Sequence, residues 1–359
     1  MVLTRAMLRR SFRWSLLVWL SVKVAYDFYA WNRVSNKELM LQMEHHVYSH
    51  TLKHVDFPVQ EKVRSPSVRS TDIVSTGCED ICRDKRQIDL LYIVHSAPQN
   101  FNFRTNIRKT FANQTFFPHN EIRIVFLLGK PENEQTQSDI LLEQTTHCDI
   151  VQGSFHDSYR NLTLKAVSGL KWVSENCPNV SFVVKIDDDA FVQTFSILEQ
   201  YLPRYEKGKR LIFCNVWKEG FMTIRRRGKW KVADDQMKGY YTFPWKYCSG
   251  FVVMMTGDLL PLLYKASLAV PILWVDDVYL TGILVSRIKD VKFVNVDLNV
   301  HSSLKAPVIQ KCFSRPNCRL LFGGSKSLNL DELWQMVLQN RNEHYRRKTQ
   351  YNRLSFKRV

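Results

Sequence analysis

Short, β-rich apolar runs alternating with helical segments predict an α/β domain, in which a mainly parallel sheet is flanked by helices. Three runs carry the prediction: Ile88–Val94 (IDLLYIV), Ile122–Leu128 (IRIVFLL) and Phe182–Ile186 (FVVKI). Each is bounded by turn or charged residues and reads as a buried strand. Before the third, Asn161–Val173 sets Leu162, Ala166, Leu170 and Val173 on one helical face. Strands separated by helices pair in parallel, because the helix returns the chain to the same edge of the sheet. Phe251–Met255, Asp276–Ile288 and Val291–Val296 extend the pattern as strand, helix and strand, and Asp331–Gln339 is the last clear helix.

The N-terminus has a different texture. Arg5, Arg9, Arg10 and Arg13 precede the apolar run Trp14–Val22, and Lys23 and Asp27 interrupt the apolar residues that continue to Trp31. Arginines ahead of an apolar stretch keep the N-terminus cytoplasmic, and a lysine near the far end can snorkel to the interface. No small-x-small cleavage site follows Val22, so an uncleaved signal anchor is expected rather than a removed signal peptide. The expected organisation is a cytoplasmic tail 1–13, an anchor 14–31, a polar stem 32–86, the folded domain 87–340 and a basic tail 341–359.

The formal net charge of +17 is uneven: segment 204–231 carries ten Lys/Arg against two Glu, and 341–359 seven against one. Patches of this kind suit an anionic partner, and the bland alternative is a solvated face plus a free tail. A nucleic-acid-binding protein would lack an anchor and sequons, so none is expected as partner. Eight cysteines (Cys78, Cys82, Cys148, Cys177, Cys214, Cys248, Cys312 and Cys318) and three sequons (Asn113-Gln-Thr115, Asn161-Leu-Thr163 and Asn179-Val-Ser181) fit a glycosylated, disulfide-bonded lumenal chain. Only Cys78 and Cys82 come near zinc spacing. Connectivity is open on sequence.

The strongest local signal is Asp187-Asp188-Asp189, directly after a predicted strand. Carboxylates crowded at a strand end repel one another unless a cation is present, and hard oxygens there suit Mg2+ or Mn2+ shared with a diphosphate. The plainer alternative is a cap on a helix starting at Ala190. Asp276-Asp277 offers a second carboxylate pair, either a helix cap or a general base. His301, after a predicted strand, is a candidate metal ligand beside its structural alternative.

Taken in order, these motifs resemble the β-1,3-galactosyltransferase and β-1,3-N-acetylglucosaminyltransferase family (glycosyltransferase family 31), over residues 89–303. R-x-x-I-R-x-T-W appears as Arg104-Thr-Asn-Ile107-Arg108-Lys-Thr110-Phe111, with Phe for Trp. F-x-D-x-Y-x-N-L-T-x-K is intact from Phe155 to Lys165, the acidic triplet follows, and Lys229-Trp230, Phe243-Pro244 and Tyr247-Cys-Ser249-Gly250 come next. E-D-V-Y is Asp276-Asp277-Val278-Tyr279, with Asp for Glu and with Gly282 one residue later than the family spacing. An extra residue in the aromatic-Pro stretch and Phe251-Val-Val after Gly250 are further departures.

The resemblance implies a GT-A-type (Rossmann-like) fold that binds a UDP-sugar with Mn2+ (or Mg2+) and transfers the sugar with inversion to a glycan on a glycolipid or glycoprotein. It further implies Asp189 as a direct metal ligand, with His301 a candidate. Asp187 would hold ribose or a metal-bound water, Asp188 would sit in the same donor site, and Arg104 and Arg108 would meet uracil or phosphate. Asp277 would be the base, kept ionised by a helix N-terminus. The setting implied is a single-pass type II protein of the Golgi membrane with glycans at Asn113, Asn161 and Asn179. An inactive binding or chaperone protein on the same fold is the alternative.

Overall fold

In chain order the strands are β1 (Ile73–Ser75), β2 (Ile88–His95), β3 (Ile122–Lys130), β4 (Ile150–His156), β5 (Val180–Asp187), β6 (Ala190–Val192), β7 (Leu211–Cys214), β8 (Val216–Trp217), β9 (Tyr247–Cys248), β10 (Val252–Thr256), β11 (Lys292–Asn295), β12 (Val300–His301) and β13 (Phe322–Gly324). The main helices are α1 (Phe101–Lys109), α2 (Glu134–His147), α3 (Leu162–Asn176), α4 (Leu260–Ser267), α5 (Ala306–Phe313) and α6 (330–342). This computed structural model describes residues 73–75, 79–83, 86–296, 300–301, 306–313, 315, 321–324 and 329–342. The expected anchor, nearly all of the stem and most of the basic tail lie outside those residues. Among the described residues no helix is long and apolar enough to cross a membrane.

Eight strands form one sheet in the order β1-β4-β3-β2-β5-β10-β7-β11. β4, β3, β2 and β5 are parallel, and the crossovers reverse direction between β2 and β5, where His95 stands opposite Asp187. Ligands of open α/β sheets bind at the carboxyl ends of strands at such a reversal. One face of the sheet buries Tyr92, Val94, Phe126, Val184 and Ile186 with Ile107 of α1, Phe111 and Trp334 of α6. The other buries Leu91, Ile93, Leu127 and Val183 with Ala166, Leu170 and Val173 of α3, three of the four residues expected on its apolar face.

The sheet is less parallel than the apolar runs suggest. β10, read from Phe251–Met255, runs antiparallel to both β5 and β7. After β7 the chain makes the short β8–β9 ladder and re-enters the sheet from the end it left, so no crossover reverses it. The disulfide Cys214–Cys248 ties the base of this excursion, and Cys82–Cys177 ties the turn before β2 to the end of α3. Cys148 and Cys312 are also disulfide-bonded. The 218–246 loop between β8 and β9 therefore emerges beside the carboxyl end of β5. A three-stranded sheet, β12-β13-β6, continues from the same end.

Candidate active site

β5 stops at Asp187 and β6 starts at Ala190, so Asp188 and Asp189 form the turn between two strands. The helix-cap alternative for the triplet fails, because no helix follows. Register divides the three carboxylates. Asp188 points into the protein, where its Oδ2 accepts from Ser96 Oγ (2.6 Å), Asn100 Nδ2 (2.9 Å) and, more weakly, Ala97 N (3.4 Å). That buried carboxylate clamps the loop after β2 through its Oδ2. Asp187 is half-exposed on the opposite face. Although its side chain is half-exposed, loss of water around the carboxylate at this strand end pushes it up to about 7, Lys185 opposes the rise, and the like charges of Asp276, Asp189 and Asp188 add to it. Asp189 lies half-buried at the turn.

Lys185 links this end of β5 to the second acidic pair. Its buried Nζ lies 3.3 Å from Asp276 Oδ2 and 3.9 Å from Asp187 Oδ1, and it donates to Gly250 O (3.2 Å). Burial works against the ammonium, but Asp276 and Asp187 outweigh it and hold Lys185 above the ordinary lysine range. Asp276 is thus spent on a salt bridge. Asp277 is not. Its Oδ1 accepts from Val278 N (2.8 Å), and a Cβ on Gly250 would stand 3.1 Å from its Cβ, so only glycine lets the two segments approach this closely. Burial pushes Asp277 up to about 7, Asp276 adds to the rise, and the N–H of Val278, Lys185 and the N–H of Gly250 limit it. The N–H of Val278 at the helix start favours the ionised form, and desolvation outweighs it.

The helix after Asp277 is π-helical over Val278–Leu284. A π turn takes up one residue more than an α turn, and Gly282 lies within it. Gly282 passes 3.4 Å (measured from an added Cβ) from the Cβ atoms of Trp245 and Tyr247. Thr281 accepts from Cys248 N (2.9 Å) and donates to Asp277 O (2.7 Å), joining the helix start to β9.

Arg104 meets the triplet only through Ser96 Oγ, which donates to Asp188, and the remaining donors of Arg104 and Arg108 go elsewhere. Arg104 is fully buried, and its five N–H groups go to Glu143, Ser96 Oγ, Ala97 O and Pro98 O at 2.6–3.1 Å. Arg108 pairs with both oxygens of Asp149 (2.7 Å each) and with Glu143 (2.6 Å), over the ring of Phe126. Burial alone would raise Glu143, yet Arg104 and Arg108 hold it below the ordinary carboxylate range. The expectation of uracil or phosphate contacts gives way to a closed network fastening α1 to α2 and β4. Arg108 also lines a groove of about 370 Å³ between α1 and α2, and none of the triplet lines it.

His301 is placed by backbone alone. It pairs with Gly323 of β13, which pairs with Phe191 of β6, at the same end of the fold as the triplet; its side chain lies outside the described residues. Of the sequon residues, Asn179 is exposed, Asn113 accepts from Thr115 N and Oγ1, and Asn161 donates its amide to His156 O (2.8 Å).

Sequence reading passed over three contributors. Lys165 of α3 pairs with Asp157 (2.8 Å) and donates to Ser96 O (2.6 Å), which explains the ends of the F-x-D-x-Y-x-N-L-T-x-K motif. Lys185 is the hub described above, and its signal was a lysine in an otherwise apolar strand. His95 is buried with neither ring nitrogen hydrogen-bonded, and burial with Lys185 and Lys165 nearby keeps it far below the usual histidine range. Among the described residues no three His, Cys, Asp or Glu groups converge on one point as a complete metal cage. What is present is a set of hard carboxylate oxygens at one strand end, with His95, whose ring makes no hydrogen bond, in register opposite Asp187. That donor set fits a Mg2+- or Mn2+-sized cation completed by a ligand's own oxygens.

Comparison with known proteins shows the family. The galactosyltransferase family model matches residues 102–297, more than half of the chain. Beta-1,3-galactosyltransferase 5 of Mus musculus is 30% identical over 212 residues, 58% of this chain and 66% of that protein. Beta-1,3-galactosyltransferase 2 of Homo sapiens is 30% identical over 211 residues, 49% of that protein. Lactosylceramide 1,3-N-acetyl-beta-D-glucosaminyltransferase of Homo sapiens is 27% identical over 293 residues, 78% of this chain and 76% of that protein. The chain thus spans from about half to three quarters of the length of these three relatives. A solved galactosyltransferase LgtC with donor and acceptor sugar analogues is 10% identical and covers 69% of this chain and 95% of that one, at a TM-score of 0.34. A likeness that slight carries no argument.

Proposed function

We propose, from the premise that this chain belongs to the galactosyltransferase family, that it moves galactose or an N-acetylhexosamine from a UDP-sugar to an acceptor-glycan hydroxyl, forming a β-1,3 linkage with inversion. The observation that carries this reading is the difference between Asp276 and Asp277. Asp276 is paired with Lys185, whereas Asp277 is half-buried, has no cation within ion-pair distance among the described residues, and is pushed up to about 7 by burial. A base works best with a pKa near the working pH, where it is ionised yet still a strong proton acceptor.

Each residue then has a task. Asp277, with Oδ1 held by Val278 N–H, takes the proton of the attacking hydroxyl on its other oxygen. Gly250 leaves room for that carboxylate, and Lys185 pairs with the neighbouring Asp276. Asp189, with Asp187, would hold Mn2+ or Mg2+, and His301 is a further candidate ligand. When bound, the cation supplies positive charge against the departing diphosphate. Asp188 and Lys165 hold the loop after β2 in place beneath the donor.

The setting proposed is a type II Golgi membrane protein with a lumenal domain, glycosylated at Asn113 and Asn179 and less readily at Asn161, whose amide is used within the fold. The test is UDP release by the purified protein in Mn2+, across a panel of UDP-sugars and glycan acceptors. Acceptor-dependent release with one donor supports the reading. UDP binding without turnover on any acceptor supports the inactive-binder alternative.

A further inference from the structure

The 218–246 loop carries eight Lys/Arg against three Asp/Glu, and the chemistry above uses none of them. One cation is spent on folding the loop: Arg226 donates to Ala233 O (2.5 Å), Gln236 O (3.0 Å) and Met237 O (3.1 Å). Three others in and beside the loop stand over aromatic rings. Arg160 lies over Trp274 (3.9 Å to the ring centroid), Lys229 over Tyr159 (4.2 Å) and Arg225 over Trp230 (5.1 Å).

Hydrogen bonds pin those rings by their polar edges. Trp230 Nε1 donates to Tyr159 OH (2.8 Å), and Trp274 Nε1 and Arg160 Nη1 both donate to Lys231 O (3.0 and 2.8 Å). Trp230 and Tyr159 nevertheless stay 47% and 42% exposed. Among the described residues no carboxylate lies within ion-pair distance of Arg160, Arg225 or Lys229. The cluster is also attached to the base: Trp274 precedes Asp277 by three residues, and Thr163 Oγ1 anchors Leu273 O (2.7 Å).

Pre-positioned cations that lack counter-ions, set among exposed rings next to a proton-accepting carboxylate, describe a binding surface whose missing partner is an anion. We propose that this platform binds an anionic acceptor glycan, a sugar chain bearing sulfate or carboxylate. Its pyranose C–H face lies on Trp230 and Tyr159, and its charge lies against Arg160, Arg225 and Lys229. The inference rests on the transferase reading above. A lipid surface suits the cluster less well, because rings held by their edges cannot insert into a bilayer, and neither does it explain the proximity to Asp277.

The test uses the full-length protein in detergent and two acceptors with the same terminal sugar, one neutral and one sulfated on the next residue. The sulfated acceptor should have a KM about 10-fold lower at low salt, an advantage that shrinks as salt screens it. Arg225→Gln with Lys229→Gln should reduce that advantage to about twofold or less, while melting as the wild type does, as expected for exposed positions. The single K229Q variant should fall between. Lys207→Gln with Lys209→Gln, at the opposite end of β7, should keep the full advantage.

Equal KM values for the two acceptors, or equal losses on both in the R225Q/K229Q variant, would overturn the proposal. Direct binding, read by tryptophan fluorescence, separates it from the transferase reading. If neither acceptor receives sugar but the sulfated glycan still binds more tightly, in a way that R225Q/K229Q abolishes, the platform stands and the transferase reading falls. Tighter binding of phosphatidylserine vesicles or of a single-stranded oligonucleotide than of the sulfated glycan would overturn the platform.

Discussion

Two charged clusters flank the loop that follows β2, and they differ in whether their charges close on themselves. On the α1 side, Arg104, Glu143, Arg108 and Asp149 saturate one another, and Arg104 leaves no N–H unspent. On the α3 side, Lys185 neutralises only part of its surroundings, and both Asp187 and Asp277 are driven up to about 7. The first cluster is a fastener. The second keeps unresolved charge next to a strand end that faces outward, the condition under which a carboxylate binds a cation or takes a proton. Residue type alone made the arginines look as much like substrate contacts as the aspartates; partner accounting separates them.

The comparison is broken most easily at Asp189. Asp189→Asn should lower turnover roughly 10³-fold, in keeping with the several kcal/mol a metal contributes to charge stabilisation. Its melting temperature without metal should hold or rise, because repulsion within the triplet falls. Activity unchanged in saturating Mn2+ would remove the triplet from the metal site.

Glu143→Gln probes the other cluster, with the opposite pattern. It takes the carboxylate from the buried guanidinium of Arg104, while Arg108 keeps Asp149, and a cost of about 3–5 kcal/mol in folding free energy follows, as for a buried pair missing one partner. The fraction that remains folded should keep its KM for the donor. A raised donor KM with unchanged denaturant midpoint would return the arginines to the binding site.

A smaller effect sharpens the picture through pH. The unfolded chain releases the Asp277 proton near the ordinary carboxylate range of about 4, whereas the folded chain holds it to about 7. This group therefore favours the folded state below pH 4, and that contribution is lost as pH rises from 4 through 7. Without metal, the Asp277→Asn variant should gain stability relative to wild type across that window, by denaturant titration at each pH. Turnover of the wild type runs the other way, falling as pH drops below about 7, where the base is protonated. Gly250→Ala should lower turnover by about tenfold at any pH, since its Cβ would press on Asp277 at 3.1 Å.

Part of this was legible in the sequence. β2, β3 and β5 were visible as β-branched apolar runs, and α3 by its apolar face. α2 was not, because its sequence EQTQSDILLEQTTH leaves Leu141 and Leu142 exposed and shows no helical stripe. With α2 unplaced, Glu143 had no location, and the partners of Arg104 and Arg108 could not be seen. The direction of β10 was hidden for a different reason: a strand buried on both faces reads the same whichever way it runs. The acidic triplet was legible as a group, but the register that turns Asp188 inward and leaves Asp187 outward is a property of the β5–β6 turn. The basic loop was visible as charge, and its aromatic scaffold only as a Lys-Trp pair.

The central claim is that Lys185 spends Asp276 and leaves Asp277 as the base, and paired turnover measurements test it most directly. With the donor and acceptor that support UDP release, kcat is measured for wild type, Asp277→Asn and Asp276→Asn, alongside the Kd for the UDP-sugar. Asp277→Asn should cut kcat by roughly 10²–10⁴ with donor Kd near wild type, the usual worth of a positioned base, and Asp276→Asn should cost less. If Asp277→Asn retains turnover while Asp276→Asn abolishes it, the assignment is contradicted and the proton goes to the carboxylate beside Lys185.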